Sequence, residues 1–142
     1  MNRINGKCLC GSVVFETPKP EHIDACHCTM CQNWVGGPFI AADFKNGGII
    51  FTKDEGLSWY ESSDWAKRGF CHKCGTSLFY CLKGHSDYWA IAAGALDLPK
   101  GLKLYKEIFI DDKPDYYALS GNHLRLTGEQ VWAQIKAGKY DG

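Results

Sequence analysis

Short apolar runs separated by turn residues recur along this chain and predict a mainly β fold. The segments predicted to be strands are 12–16, 38–44, 49–52, 57–60, 68–70, 77–82 and 88–92, with further extended segments at 22–25, 102–105 and 108–110. Gly, Asn, Asp and Pro lie between these runs, as is typical of antiparallel strands joined by turns. The pattern therefore predicts antiparallel sheets rather than alternating strands and helices.

One segment near the C-terminal end has the pattern of a helix. Thr127 is followed three residues later by Gln130, which is the spacing of a capping box. Val131, Trp132 and Ile135 then lie on one face of the predicted helix. We expect this single C-terminal helix to pack on the sheet through that face.

Composition and charge narrow the class of protein. Hydrophobic residues make up 45% of the 142 residues, charged residues 23%, and the formal net charge is zero. The basic residues are spread along the chain, whereas a nucleic-acid-binding surface shows clustered Lys and Arg. The N-terminal segment lacks the apolar core of a signal peptide, and no run reaches the roughly 18 apolar residues of a membrane span. We therefore expect residues 1–142 to form a single cytoplasmic domain that binds neither nucleic acid nor membrane.

Seven of the eight cysteines are grouped at the spacings of metal ligands. They are Cys26, Cys28 and Cys31 in the central segment CHCTMC, the upstream pair Cys8 and Cys10, and the downstream pair Cys71 and Cys74. Without a secretory signal, such groups favour zinc sites over a disulfide framework. The remaining cysteine, Cys81, stands alone in an apolar run and is predicted to be a buried, inert thiol.

Spacing alone leaves two partitions of the grouped cysteines open. In the first, the two outer pairs form a closed four-thiolate site, and the central three cysteines hold a second zinc with one open position. In the second, Cys8 and Cys10 join Cys26 and Cys28, which leaves Cys31 with the downstream pair. The matching Cys-Gly steps of the two outer pairs favour the first partition. We therefore predict two zinc ions per chain.

The histidines near these cysteines have several possible roles. His27 and His72 each lie between two ligands of one group, so their side chains should point away from a shared metal. His27 is expected either to face solvent or to support the ligands from behind. His22 and His85 are candidates to approach the open position, although the sequence does not place them there.

A series of short motifs along the chain is similar to one protein family. The motifs are CLCGSV (8–13), CHCTMC (26–31), GPF (37–39), YESS (60–63), KRGFC (67–71), CGTSL (74–78), GALD (94–97) and IFIDDKP (108–114). Together they cover nearly the whole chain. In this succession the chain resembles the glutathione-dependent formaldehyde-activating enzymes and their centromere protein V relatives.

The resemblance implies a fold, a metal arrangement and an activity. The family fold is a zinc-stabilised set of β-sheets called a β-tent. The implied ligand sets are a structural zinc on Cys8, Cys10, Cys71 and Cys74, and a catalytic zinc on Cys26, Cys28 and Cys31. The founding activity condenses formaldehyde with glutathione to S-hydroxymethylglutathione, and the family is classed among carbon–sulfur lyases. This chain departs from the family pattern at Gln32, where relatives commonly have Arg, and at Glu107, where His is usual.

The expected function is therefore a zinc-dependent carbon–sulfur lyase that acts on a thiol–carbonyl adduct, with glutathione as the default thiol. A glutathione site needs groups that bind two carboxylates. Lys67, Arg68 and Lys73 are the cations near the motifs, although ordinary solvated charges are the more common role for such residues.

Two other functions are compatible with part of the pattern. The first is a non-catalytic, zinc-stabilised binding module, in which Cys81 or a histidine would complete the central site. The second is a methionine sulfoxide reductase of the B type, which needs a metal-free cysteine of low pKa. Only Cys81 lies outside the groups, and its apolar neighbours should raise its pKa. This argues against the reductase.

Overall fold

The computed structural model describes residues 3–44, 48–84 and 88–138. The strands in these ranges are β1 (Ile4–Lys7), β2 (Val14–Thr17), β3 (His22–Cys26), β4 (Phe39–Phe44), β5 (Ile50–Lys53), β6 (Leu57–Tyr60), β7 (Ala66–Cys71), β8 (Ser77–Leu82), β9 (Trp89–Ala92), β10 (Lys106–Ile108) and β11 (Leu124–Leu126). The helices are α1 (Thr29–Val35) and α2 (Gly128–Lys136). The predicted β-rich fold with a C-terminal helix is confirmed. Within the described ranges, neither helix is long and apolar enough to cross a membrane.

The strands form two sheets of unequal size. The small sheet has the order β1-β2-β5, and the large sheet has the order β11-β10-β3-β4-β9-β8-β7-β6. Most neighbours are antiparallel, as predicted. The exception is β10, which lies between β3 and β11 and is parallel to both. A late segment of the chain is thereby placed directly beside the strand that ends at Cys26.

The two faces of the large sheet pack against different partners. One face meets the small sheet in an aromatic core around Phe15, Phe79 and Ile91, whose side chains are fully buried. Because successive residues of a strand face opposite sides, the neighbouring Tyr80 and Ala90 lie on the other face. That face packs in a second cluster with the central cysteines. The sheet therefore separates a hydrophobic core from the side that bears the candidate site.

Helix α2 has the predicted capping box, but it does not pack closely on the sheet as predicted. Thr127 accepts a hydrogen bond from the Gln130 amide, and the Gln130 side chain accepts one from the Thr127 amide, which completes the capping box. Val131 is buried, while Trp132 and Ile135 are partly buried. All three line a cavity against the sheet rather than packing tightly upon it.

Five segments differ from the predicted pattern. Helix α1, which begins within the central cysteine segment, was not predicted, and neither were β1 and β11. The segment 102–105 is not a strand, since pairing begins only at Lys106. The segment 108–110 was predicted to be extended, but only Ile108 is paired, because Phe109 has a positive φ of 57° and a 3-10 helix follows at Ile110–Asp112. Gly6 lies in β1, where an added Cβ atom would be 2.4 Å from the Phe15 ring. Gly6 therefore serves close packing between the β1 backbone and the core.

Candidate metal centres and active-site cavity

The outer cysteine cluster consists of Cys8, Cys10, Cys71 and Cys74, whose sulfur atoms all lie within 4.8 Å of one another. The Sγ atom of Cys10 is 3.7 Å from that of Cys8 and 3.8 Å from that of Cys71. A tetrahedral zinc with Zn–S bonds of about 2.3 Å requires sulfur separations of about 3.8 Å. The outer cluster therefore has the donor set and the spacing of a closed four-thiolate metal site.

Two similar backbone turns bring the outer pairs together. In the first, the Cys8 amide donates to the Val13 carbonyl and the Gly11 amide donates to the Cys8 carbonyl. In the second, the Gly75 amide donates to the Cys71 carbonyl at 2.7 Å. Gly11 and Gly75 have positive φ angles of 82° and 81°, a conformation that other residues rarely adopt. The matching Cys-Gly steps in the sequence thus encode matching turns.

The central cluster consists of Cys26, Cys28 and Cys31, whose sulfur atoms also lie within 4.8 Å of one another. Cys26 ends β3, and Cys28 is the N-cap of α1, where its Sγ accepts a hydrogen bond from the Cys31 amide. Gly36 ends the helix with a φ of 80°. The structure thus brings together the two cysteine groups of the first partition, and the second partition is not formed.

The three central sulfurs interact strongly when no cation lies between them. Hydrogen bonds from Cys26 and Cys31 hold the pKa of Cys28 well below its usual range. The complementary bonds to Cys28 and Cys31, together with burial, raise the pKa of Cys26. One thiolate is therefore stabilised by two neighbouring thiols. The charge on each sulfur thus depends on the other two, as expected for side chains that converge on one point.

Arg68 supplies a fixed positive charge to the central cluster. Its side chain is only 4% exposed, and its Nη1 atom lies 3.5 Å from the Cys31 sulfur. The guanidinium group is held between the rings of Trp34 and Tyr80, 5.0 Å and 4.9 Å from their centroids. The expectation of a solvated charge is therefore wrong for Arg68. The burial of Arg68 was not predictable from the sequence, because it depends on which residues of neighbouring strands and of α1 lie beside β7.

The other two cations near the motifs behave as expected for surface residues. Lys67 places its ammonium group 4.3 Å from the centroid of the Trp59 ring, away from Arg68. Lys73 is exposed.

A cavity of about 210 Å³ opens beside the central cluster. Its walls are mostly apolar and come from β3, β4, β8, β9, β10 and α2; the principal members are Phe39, Ala41, Ala90, Ile108, Val131, Trp132 and Ile135. Met30 and Trp65 line it and are also exposed, so they mark its mouth. Asp24 and Asp43 line it and are buried. The cysteines thus lie near the entrance of a pocket that becomes acidic in its interior.

A buried polar network lies behind the central cluster. His27 is fully buried, with Nε2 2.6 Å from Glu107 Oε1 and Nδ1 2.8 Å from the Tyr117 hydroxyl. The second oxygen of Glu107 pairs with His123 and, at 3.1 Å, with Arg125. His27 thus points away from the cysteines, as predicted, but it does not face solvent.

Gln32 and Glu107, the two residues that depart from the family pattern, both form hydrogen bonds in this structure. The Gln32 side chain donates to the carbonyls of His27 and Asp112 at 2.6 Å and 2.9 Å, which ties α1 to the segment after β10. Glu107 accepts hydrogen bonds from two histidines. Burial alone would raise the pKa of Glu107, but the bonds to His123 and His27 outweigh it and lower the pKa.

Among the described residues, the candidates for completing the central site do not lie beside it. Cys81 is buried in the aromatic core on the opposite face of the large sheet, and burial raises its pKa to about 12. His22 stacks on Tyr105, with ring centroids 3.8 Å apart, at the other end of β3 from Cys26. His72 is exposed, and its Nε2 lies 3.1 Å from the Glu55 carbonyl. His85 lies outside the described residues. The part of the chain that the structure describes therefore offers three cysteine ligands at this site.

Comparisons with known proteins agree with these observations. The family described as glutathione-dependent formaldehyde-activating enzyme matches residues 3–112. A protein of Schizosaccharomyces pombe described as an uncharacterized lyase is 29% identical over 139 residues, which cover 95% of this chain and 98% of the relative. The crystal structure of a Rhodobacter sphaeroides protein covers 66% of this chain and 87% of its own, with a TM-score of 0.53 and 23% identity. This last similarity shows the fold alone.

Proposed function

Because this chain belongs to the glutathione-dependent formaldehyde-activating enzyme family, we propose that it forms or cleaves a carbon–sulfur bond between a small thiol and a carbonyl compound. The lyase description of the S. pombe relative supports this class of reaction. The family name makes glutathione the first thiol and formaldehyde the first carbonyl compound to test.

The observation on which this proposal rests is the contrast between the two metal-ligand groups. The outer group has four cysteines, whereas the central group has three and borders a cavity. Closed four-ligand sites are typical of structural zinc, and catalytic zinc keeps an open position. We therefore assign a structural zinc to Cys8, Cys10, Cys71 and Cys74, and a catalytic zinc to the central cluster. A zinc ion with an open position would supply a place for a thiol to lose its proton and remain bound.

The residues around the cavity have separate roles in the proposed reaction. Arg68, beside the Cys31 sulfur, would offset the negative charge of a substrate thiolate held next to the three cysteines. Burial raises the pKa of Tyr80, so its hydroxyl stays protonated and is available as a hydrogen-bond donor to the oxygen of a carbonyl compound. The apolar walls exclude water from the reacting atoms and hold the two substrates close together.

Titration of small thiols into the zinc-loaded protein tests the proposal. Glutathione should bind in calorimetry to the wild type and not to Cys28→Ser, and addition of formaldehyde should give adduct exchange visible by NMR. If no thiol binds at millimolar concentration while the central site is fully loaded, the enzyme proposal is refuted. A non-catalytic, zinc-stabilised module is then the better description.

A further inference from the structure

The interior end of the cavity contains a buried acidic group that the proposed reaction does not use. Asp43 is 1% exposed and lines the cavity. Its Oδ1 atom accepts a hydrogen bond from the Tyr88 hydroxyl at 2.7 Å. Its Oδ2 atom is buried, and no hydrogen-bond donor among the described residues reaches it. A buried carboxylate oxygen without a donor is costly and marks a place where a ligand can supply one.

Neighbouring charges make this end of the cavity favourable for a cation. Burial raises the pKa of Asp43, whereas its contacts with the Asp24 carboxyl group and the Tyr88 hydroxyl, together with the positive charge of Lys106, act to lower it. Lys106 is buried beside Asp24, its register partner on β3. A cation would offset the cost of burying the Asp43 carboxylate, and an ammonium group would also supply a donor to its Oδ2 atom.

The register of the strands gives the distance from this group to the central cysteines. Cys26 pairs with Phe39 across β3 and β4, and His22 pairs with Asp43. The two levels are four residues apart along each strand, which corresponds to about 13 Å at roughly 3.3 Å per residue. One extended small molecule can therefore place a sulfur atom at the cysteines and a second group at Asp43.

We infer that the cavity binds an aliphatic aminothiol, or its carbonyl adduct, with the sulfur at the central cysteines and the ammonium group on Asp43. This inference rests on the proposed function for the position of the sulfur. It narrows the substrate class, because a thiol with a carboxylate at its far end would meet Asp24 and Asp43 with like charge. The carboxylates of a larger thiol such as glutathione must then remain outside this end of the cavity.

A matched series of thiols tests the inference in the zinc-loaded protein. Aminoalkanethiols of two to six carbons are compared by calorimetry with mercaptocarboxylates and unsubstituted alkanethiols of equal length. The ammonium compounds should bind about tenfold more tightly than the carboxylates, since a charged hydrogen bond is gained and a repulsion avoided. Affinity should peak at a chain length above two carbons. Equal affinities for ammonium and carboxylate compounds at every length would overturn the inference.

Two variants identify the group responsible. Asp43→Asn keeps the size and the acceptor for Tyr88 but removes the charge, so the ammonium preference should fall about tenfold while alkanethiol affinity is unchanged. Asp54→Asn makes the same change at an exposed position and should leave the preference intact. A preference that persists in a folded Asp43→Asn refutes the assignment. If Asp43→Asn unfolds, Tyr88→Phe takes its place, because it removes the hydroxyl group that hydrogen-bonds to Asp43. It should alter the ammonium preference, and an unaltered preference in this variant also refutes the assignment.

An alkylammonium ion without sulfur separates this inference from the proposed function. n-Pentylammonium should bind the wild type with saturation and should not bind Asp43→Asn. If it binds but no thiol does, the acidic subsite stands and the thiol chemistry fails. If thiols bind but the ammonium ion does not, the reaction proposal stands and the subsite is refuted.

Discussion

The two cysteine clusters use the same ligand atom in opposite surroundings. In the outer cluster, two glycine turns join four sulfurs, and Cys8 and Cys71 are fully buried within the aromatic core. In the central cluster, three sulfurs lie at the edge of a cavity with a buried arginine and a polar network behind them. The outer cluster thus joins the aromatic core through two of its cysteines, whereas the central cluster borders a cavity, a buried cation and a polar network.

Under the proposed function, the number of ligands and their surroundings assign stability to the outer cluster and chemistry to the central one. A closed cluster within the core links distant segments and leaves no position for a substrate. A three-ligand cluster beside a cavity contributes less to the fold but leaves room for a reacting molecule. The consequences of changing each cluster should therefore be of different kinds.

The largest effect is expected when an outer ligand is removed. Cys74→Ser should lower the free energy of unfolding by an amount on the order of 10 kcal/mol, the apparent zinc-binding energy in small zinc domains. Such a loss equals the whole stability of a typical domain, so the variant should be unfolded by circular dichroism. Cys28→Ser should remain folded and lose thiol binding.

Cys81→Ser provides the matched control for that comparison. It makes the same substitution in the same core at a cysteine outside both clusters, and it should cost only about 1–3 kcal/mol for burial of a hydroxyl group. If thermal unfolding shows equal losses for Cys28→Ser and Cys74→Ser, the central metal is structural and the proposed division of roles is wrong.

The number of bound zinc ions should also distinguish the two clusters. Elemental analysis of protein purified without chelator should give two zinc ions per chain. Replacing Cys26, Cys28 and Cys31 together by Ser should reduce the content to one ion and leave the fold intact. A wild-type content of one that is unchanged in the triple variant would contradict the presence of two sites.

A substitution in the polar network behind the central cluster should have the next largest effect on the free energy of unfolding. Glu107→Gln removes a buried charge that pairs with His27, His123 and Arg125, and breaking such a group costs about 3–5 kcal/mol. Urea unfolding measures this loss. Glu16→Gln, at a partly exposed pair with Arg3, is the control and should cost less than about 1 kcal/mol. Equal losses would show that the network does not stabilise the fold.

The same variant has a defined pH dependence. Because folding lowers the pKa of Glu107, the stability it provides is fully present above the unfolded value of about 4.3. That stability is lost as the pH falls through the lower folded pKa. The difference between wild type and Glu107→Gln should therefore shrink only below about pH 4. A difference that grows toward low pH would contradict the lowered pKa.

The smallest effect concerns Arg68. Arg68→Met removes the positive charge beside Cys31, so zinc affinity at the central cluster should fall about 10–100-fold, as for other groups that support metal ligands. Competition with a chromogenic chelator measures the affinity of each site. Lys67→Met removes a charge from the neighbouring residue, whose ammonium lies over Trp59, and should change neither site. Equal effects of the two variants would exclude a specific role for Arg68.

The sequence predicted the parts of this structure that depend on local patterns. Strands β6 and β8 begin and end where their apolar runs do, and the Thr127–Gln130 capping box forms as predicted. The grouping of the outer cysteine pairs followed from repeated Cys-Gly steps, because a glycine with positive φ closes each turn. These features need information from only a few neighbouring residues.

Other features depend on contacts that a local pattern does not contain. Helix α1 was missed because Cys28, rather than a hydroxyl or carboxylate residue, is its N-cap; Gly36 was the available signal for its end. The parallel pairing of β10 with β3 joins distant segments, so three residues of ordinary composition gave no signal. The burial of Arg68 and Asp43 likewise depends on which strands become neighbours in the large sheet.

The late position of β10 in the chain sets an order for biosynthesis. His27 and Glu107 are 80 residues apart in sequence, yet they form one buried contact. All seven grouped cysteines have been synthesised once Cys74 is added, well before Lys106 begins β10. Long-range pairing is slow relative to local turns, and translation adds about 5–20 residues per second. The nascent chain therefore has its complete set of grouped thiols for seconds before β10 exists, so under the proposed zinc assignment metal can bind before the large sheet closes.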